Sequence, residues 1–257
     1  MPDDQDLAAM SDHALSVALA RASGELLLDL RQQAGELDAK DLRNQGDRRS
    51  HEHLAAALAG ARPKDAVLSE EAKDDPVRLD ADRVWIVDPL DGTREYGEEG
   101  RSDWAVHVAL WQSGDLVAGA VALPARDLVL STEQPPVVPA PYGGPPRLLV
   151  SRTRPPGLVS DVAEQIGGEL VPLGSAGAKA MAVALGEAEI YLHGGGQYEW
   201  DSAAPVVVAR AAGLHCSRVD GSPLVYNRVD PLLPDLLVCR PEFADAVLAA
   251  VARTGLS

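Results

Sequence analysis

The chain has 257 residues, 46% of them hydrophobic, and a formal net charge of -16. That is enough apolar material for a sizeable core, which excludes a disordered chain. The charge argues against a nucleic-acid polymer as partner, because such binding rests on basic contacts to phosphate; a small anionic ligand stays possible if a few Arg or Lys side chains, or bound cations, supply positive charge locally.

No apolar run approaches the ~20 residues of a membrane span, and the start MPDDQDLAAM is acidic where a secretory signal is basic and then apolar. Cys216 and Cys239 lack metal-type spacing and sit among apolar residues, as buried packing thiols do in a reducing compartment. The expectation is a soluble, cytoplasmic protein with no membrane partner.

In chain order, Leu15, Leu19, Ala22, Leu26 and Leu30 recur at helical spacing and predict one helix over 7–34. RSHEHLAAALA predicts a second over 49–59, ended by Gly60 and Pro63. Strand-type runs follow at 66–70, 83–88, 104–111, 116–124 and 127–132. SGD and PAR turns join the last three into an antiparallel meander. The proline- and glycine-rich stretch 133–146 cannot continue a helix or central strand, so the chain divides there into an α+β half, 1–145, and an α/β half, 146–257. The second half alternates: strands at 147–151, 169–173, 189–193 and 236–239, and helices at 157–167, 175–185, 201–213 and 241–253.

The chemistry concentrates in VWIVDPLDGT at 84–93. An apolar strand ends in Asp88, and a proline-bearing turn leads to Asp91, Gly92 and Thr93. Two carboxylates three residues apart, with the Leu90 carbonyl between them, can face one point and suit a hard cation such as Mg²⁺. Gly92 allows close backbone approach to a ligand, and free N–H groups at a helix start can receive a phosphate. On its own such a turn reads rather as an Asp-rich turn with a helix N-cap. Glu70, with Glu71, ends the neighbouring strand, and WDSAAP at 200–205 places Asp201 at a helix entrance with Pro205 in its first turn.

EE, DPLDGT and WDSAAP, in this order, resemble the inositol monophosphatase family of lithium-sensitive, Mg²⁺-dependent phosphatases. The resemblance implies a layered αβαβα fold, α/β in its second half, usually dimeric. It also implies two or three Mg²⁺ per site. Glu70, Asp88 and the Leu90 carbonyl would hold one ion, and Asp88, Asp91 and Asp201 a second. Thr93, helped by Asp47, would orient the attacking water. The family usually has Thr-x-Ala-Asp around that upstream acid where this chain reads Gln45-Gly46-Asp47. Asp47 therefore reads equally as the N-cap of a helix beginning near Arg49. The spelling DxDGT of haloacid-dehalogenase phosphatases is a rival, but the extra residue here moves Asp88 out of the place that strand alternation demands.

Gly174-Ser175-Ala176-Gly177-Ala178-Lys179 resembles the GSSLK-type segment of the family's CysQ branch, which hydrolyses 3'-phosphoadenosine 5'-phosphate to AMP in sulfate assimilation. Ser151-Arg152-Thr153-Arg154 resembles a Ser-Arg-Ser segment of that branch. Ser175, Lys179, Ser151 and Arg152 are thus expected substrate contacts, with Arg94 and, at the reacting end, Glu70, Leu90, Gly92, Thr93 and Asp201. Tyr198 and Trp200 either stack on a base or pack their loop, and His193 reads as structural. Inositol 1-phosphate and fructose 1,6-bisphosphate remain alternative substrates, and a non-catalytic metal-dependent nucleotide sensor is the alternative outside enzymes.

Overall fold

A computed structural model describes residues 4–33, 35, 38–153 and 157–255. Arg154, the last residue of the SRTR segment, lies outside them, as does Ala34 at the end of the first predicted helix.

The first half contains α1 (Asp4–Ala9), α2 (Asp12–Gln33), α3 (Ala39–Ala61), β1 (Ala66–Ser69), β2 (Arg83–Asp91), the single-turn α4 (Thr93–Tyr96), β3 (Ala105–Gln112), β4 (Asp115–Leu123) and β5 (Leu128–Ser131). The second contains β6 (Arg147–Ser151), α5 (Gly157–Ile166), β7 (Glu169–Leu173), α6 (Ala176–Ala184), β8 (Ile190–His193), β9 (Gln197–Tyr198), α7 (Glu199–Ala211), β10 (His215–Ser217), β11 (Leu232–Leu233), β12 (Leu236–Cys239) and α8 (Ala244–Arg253).

Two five-stranded sheets result, ordered β1-β2-β3-β4-β5 and β10-β12-β8-β6-β7. β3, β4 and β5 form the expected antiparallel meander. Helices α2 and α3 cover the outer face of the first sheet over Leu15, Leu27, Leu54 and Leu58 packed with Trp85 and Val108. α6 and α7 lie between the sheets in a core that mixes Ile86 and Val121 with Met181, Val206 and Val238. α5 and α8 close the far face through Val159, Val162 and Val247. The order is helix, sheet, helix, sheet, helix, and the middle layer draws its apolar faces from both sides.

Three helix boundaries differ from expectation. The first helix is two, because the Ser11 hydroxyl accepts the Ala14 N–H at 3.1 Å and starts α2 afresh. The second begins ten residues early, at Ala39, where Asp38 accepts the N–H groups of Lys40 and Asp41, each at 2.8 Å. Asp47 is therefore inside a helix and is not an N-cap near Arg49. α7 begins at Glu199, so Pro205 is buried in its interior and not in its first turn. Proline supplies no N–H to the carbonyl four residues back. Burial of Ala203, Ala204, Val206 and Val208 between the sheets keeps the helix continuous regardless. Cys239 is buried as expected, but Cys216 is only partly so.

Leu54, at 0% exposure, anchors α3 to the first sheet. Leu54→Ala should cost about 2–5 kcal/mol of stability in urea denaturation; a loss under 1 kcal/mol would show that α3 is not locked to that core.

Candidate metal and phosphate site

β2 delivers Asp88 and Asp91 to one end of the first sheet, and its pairing with β3 shifts register between them. That irregularity turns both carboxyl groups the same way. Carboxylate oxygens of Asp88, Asp91 and Asp201 lie within 4.8 Å of one another. Asp88 is 1% exposed and Asp91 8%.

Each acid is held by part of its carboxylate, and the remainder is left for another partner. Asp88 Oδ1 accepts the Leu90 N–H at 3.0 Å, while its buried Oδ2 has no hydrogen-bond partner. Asp201 Oδ2 reaches back to accept the Tyr198 N–H at 2.6 Å, closing the first turn of α7. Glu199 steadies that turn by accepting the N–H groups of Asn227 (2.7 Å) and Arg228 (2.8 Å). Asp91 sits on the N-terminus of α6. Its Oδ2 accepts the Ser175 hydroxyl and the Gly177 N–H (2.6 Å), and its Oδ1 accepts only the Ala176 N–H at 3.1 Å. A carboxylate oxygen has two lone pairs, so Asp91 Oδ1 keeps one.

The charges are unequally compensated. Burial pushes Asp91 up, but His107, Ser175 and the Gly177 N–H outweigh it and hold the carboxyl at about 2. Asp88 is driven well above the usual carboxylate range by burial and by repulsion from Glu70, Asp91 and Asp201. Burial and Asp91 raise Asp201 to about 6. Glu70, on the exposed rim, rises to about 7 through loss of solvation on its inner side and repulsion from Asp201, Asp91 and Glu71. An acid cluster with an orphaned buried oxygen and two more half-free carboxylates fits a divalent cation bound by oxygen.

Thr93 begins α4, just past Gly92 with its left-handed φ of 82°. A Cβ at Gly92 would press within 3.0 Å of the Ser175 side chain and 3.1 Å of the Asp103 carbonyl, so only glycine fits the turn. The Thr93 hydroxyl is 3.1 Å from the Leu90 carbonyl and 3.5 Å from Asp47 Oδ1 on α3. Burial and the neighbouring Glu71 raise Asp47 to about 7.

Beside Thr93 opens a cavity of about 360 Å³, lined among others by Gly92, Arg94, Ser151, Arg152, Ser175 and Lys179. Its cations differ in freedom. Arg152 is bound to Glu95 (2.9 Å) and Glu98 (2.8 Å). Lys179 is 6% exposed and donates to the Ser175 carbonyl at 2.6 Å, with its ammonium over the Tyr191 ring. Arg94 is exposed and makes no salt bridge among the described residues. Tyr198, 43% exposed, lies parallel to Trp200 with centroids 4.7 Å apart. Sequence reasoning missed His107 and Asp103, both buried; Asp103 accepts the Gly174 N–H at 2.7 Å. The one signal for His107 was a lone polar residue inside the apolar run WAVHVALW.

The profile of the inositol monophosphatase family matches residues 8–135 and 149–255. The chain belongs to the inositol monophosphatase family. Membership sets aside the haloacid-dehalogenase reading and agrees with the layered fold. Among family members, a protein of Mycobacterium leprae named 3'-phosphoadenosine 5'-phosphate phosphatase is 50% identical over 256 residues, covering 95% of this chain and 94% of the relative. One of the same name from Mycobacterium tuberculosis is 51% identical over 238 residues, covering 90% and 89%. The crystal structure of CysQ from Bacteroides thetaiotaomicron superposes with a TM-score of 0.76 at 28% identity, covering 90% of this chain and 98% of that one.

A carboxyl raised in the folded state binds protons that the unfolded chain has released, so the stability it removes at neutral pH returns as pH falls through the raised value. Metal-free Asp201→Asn should therefore melt higher than metal-free wild type at pH 7.5, and the gap should close towards pH 5. Saturating Mg²⁺ should reverse the order. Calorimetry with and without chelator checks both, and a gap independent of pH would contradict the repulsion.

Proposed function

We propose that this chain is a Mg²⁺-dependent phosphomonoesterase that removes the 3'-phosphate of 3'-phosphoadenosine 5'-phosphate, giving AMP and phosphate. The observation that carries the reading is the convergence of three half-free carboxylates, Asp88, Asp91 and Asp201, with Thr93, which follows Asp91 closely in the chain, pairing with Asp47 and lining a polar cavity. The names of the mycobacterial relatives support the substrate.

Asp88, Asp91, Asp201, Glu70 and the Leu90 carbonyl would hold two or three Mg²⁺. When bound, Mg²⁺ supplies neutralisation of the phosphoryl charge, acidification of water and stabilisation of the leaving oxygen. The chain's own groups do the positioning. The Thr93 hydroxyl has the Leu90 carbonyl at 3.1 Å and Asp47 at 3.5 Å as acceptors. In the reacting complex it would donate its hydrogen to Asp47 and turn a lone pair to the attacking water, and Asp47, raised to about 7, can take up a proton near neutrality. Water oxygen joins phosphorus, the bond from phosphorus to the 3'-oxygen breaks, and a proton ends on that oxygen. Gly92 and the N–H groups at the start of α4 face the phosphoryl oxygens, and Arg94 meets the second phosphate. Arg152 and Lys179, committed to Glu95, Glu98 and the Ser175 carbonyl, brace the cavity wall.

The reading extends to a cytoplasmic homodimer that clears a by-product of sulfate assimilation, inhibited by lithium as the resemblance implies. No helix among the described residues is long and apolar enough to cross a membrane.

Phosphate release with Mg²⁺ should be at least tenfold more efficient in kcat/KM on 3'-phosphoadenosine 5'-phosphate than on inositol 1-phosphate or fructose 1,6-bisphosphate. Equal rates would contradict the substrate, and binding without turnover would favour a sensor. Asp91→Asn should abolish turnover in a folded protein, and Thr93→Val should lower kcat about 100-fold. Arg94→Ala should raise KM for the bisphosphate about tenfold, the loss of one charged hydrogen bond, with little change for a monophosphate.

A further inference from the structure

His107 lies beneath the carboxylates and has no role in the chemistry above. It is 0% exposed, on β3 opposite Asp88. Its Nδ1 is 3.0 Å from the carbonyl oxygen of Trp200. A carbonyl only accepts, so Nδ1 carries the hydrogen and donates it. Nε2, across the ring, faces Asp91 Oδ2 at 3.3 Å, an ion pair when the ring carries both hydrogens. One rigid ring thus spans from the strand end that bears Asp91 to the residue that precedes Asp201.

The surrounding chain is shaped to admit the ring. A Cβ on Gly177 would lie 2.0 Å from His107 Nε2. α6 therefore needs a glycine at the position whose N–H meets Asp91 at 2.6 Å. An apolar side chain would fill the same space in a core, and it would not reach polar atoms of two separate ligand-bearing segments.

We infer that His107 is a positioning residue that sets the separation of Asp91 from Asp201, and with it the size of the cation cage, without touching cation or ester. The inference rests on reading Asp88, Asp91 and Asp201 as cation ligands. Groups that orient metal ligands typically govern metal affinity by about 10–100-fold when removed, whereas a residue that only fills space changes stability and leaves that affinity alone.

The test is Mn²⁺ affinity, followed by electron paramagnetic resonance or calorimetric titration of the full chain with no substrate present, with melting curves in parallel. Wild type should bind Mn²⁺, and His107→Ala should bind at least tenfold more weakly while still melting cooperatively. His107→Asn, whose amide can still donate to the Trp200 carbonyl, should regain part of the loss. Gly177→Ala should push the ring aside and weaken binding in the same way. The double variant should bind no more weakly than His107→Ala, because the vacated space takes the methyl group; independent residues would show additive losses. Wild type failing to bind Mn²⁺ would overturn the cation-site reading itself. Wild type binding while His107→Ala matches it would overturn the role of His107 alone. Should His107→Ala not fold, unchanged affinity in both His107→Asn and Gly177→Ala overturns the inference.

Discussion

A carboxylate at the end of one sheet is held by the N-terminus of a helix that leads into the other: Asp91 receives the Ser175 hydroxyl and the N–H groups of Ala176 and Gly177. This contact fixes the geometry of everything around it. Burying an ion costs on the order of several kcal/mol unless dipoles or opposite charge replace its hydration, and His107 together with the start of α6 does so for Asp91. Asp88 and Asp201 each receive one backbone N–H, too little to offset burial and mutual repulsion, and they and Glu70 are pushed above their ordinary range. The fold holds a local excess of negative charge in place, of the kind that a divalent cation can resolve.

The same accounting explains how the cavity uses its few cations. In a chain with 23 basic and 39 acidic side chains, most arginines are drawn into ion pairs. Arg152 is held by two glutamates, and Lys179 has turned inward to brace the Ser175 carbonyl that precedes α6. Arg94 alone of these three stays exposed. Under the proposed function, a phosphate entering this cavity would depend on bound cations and backbone N–H groups more than on side-chain charge, in line with phosphoryl transfer by positioning and electrostatics.

Much of this was legible in the sequence because local and global demands agreed. The β-branched runs RVWIVD and WAVHVALW, broken by turn residues, gave strands and an order. DPLDGT and WDSAAP carried their acids to strand and helix ends, where carboxylates can converge. The first half of α3 was hidden because AKDLRNQGD is polar and contains a glycine; packing of Leu42 and Gly46 against the first half's core overrides that weak local preference. Asp201 was expected at the entrance of its helix, which begins two residues earlier at Glu199, so the side chain sits in the first turn and reaches back to the Tyr198 N–H. No pattern in the chain tells which way Lys179 points, or that a histidine in an apolar strand faces two acids. Those facts exist only once the sheets are stacked.

The central claim is that Asp88, Asp91 and Asp201 together trap divalent cations. Anomalous diffraction from crystals soaked in Mn²⁺ tests it most directly. The account predicts a strong anomalous peak within coordination distance of Asp88 and Asp91, with a carboxylate oxygen of Asp201 on the same or an adjacent ion. Mn²⁺ bound elsewhere, with Asp88 Oδ2 still unpartnered in its buried setting, would contradict it.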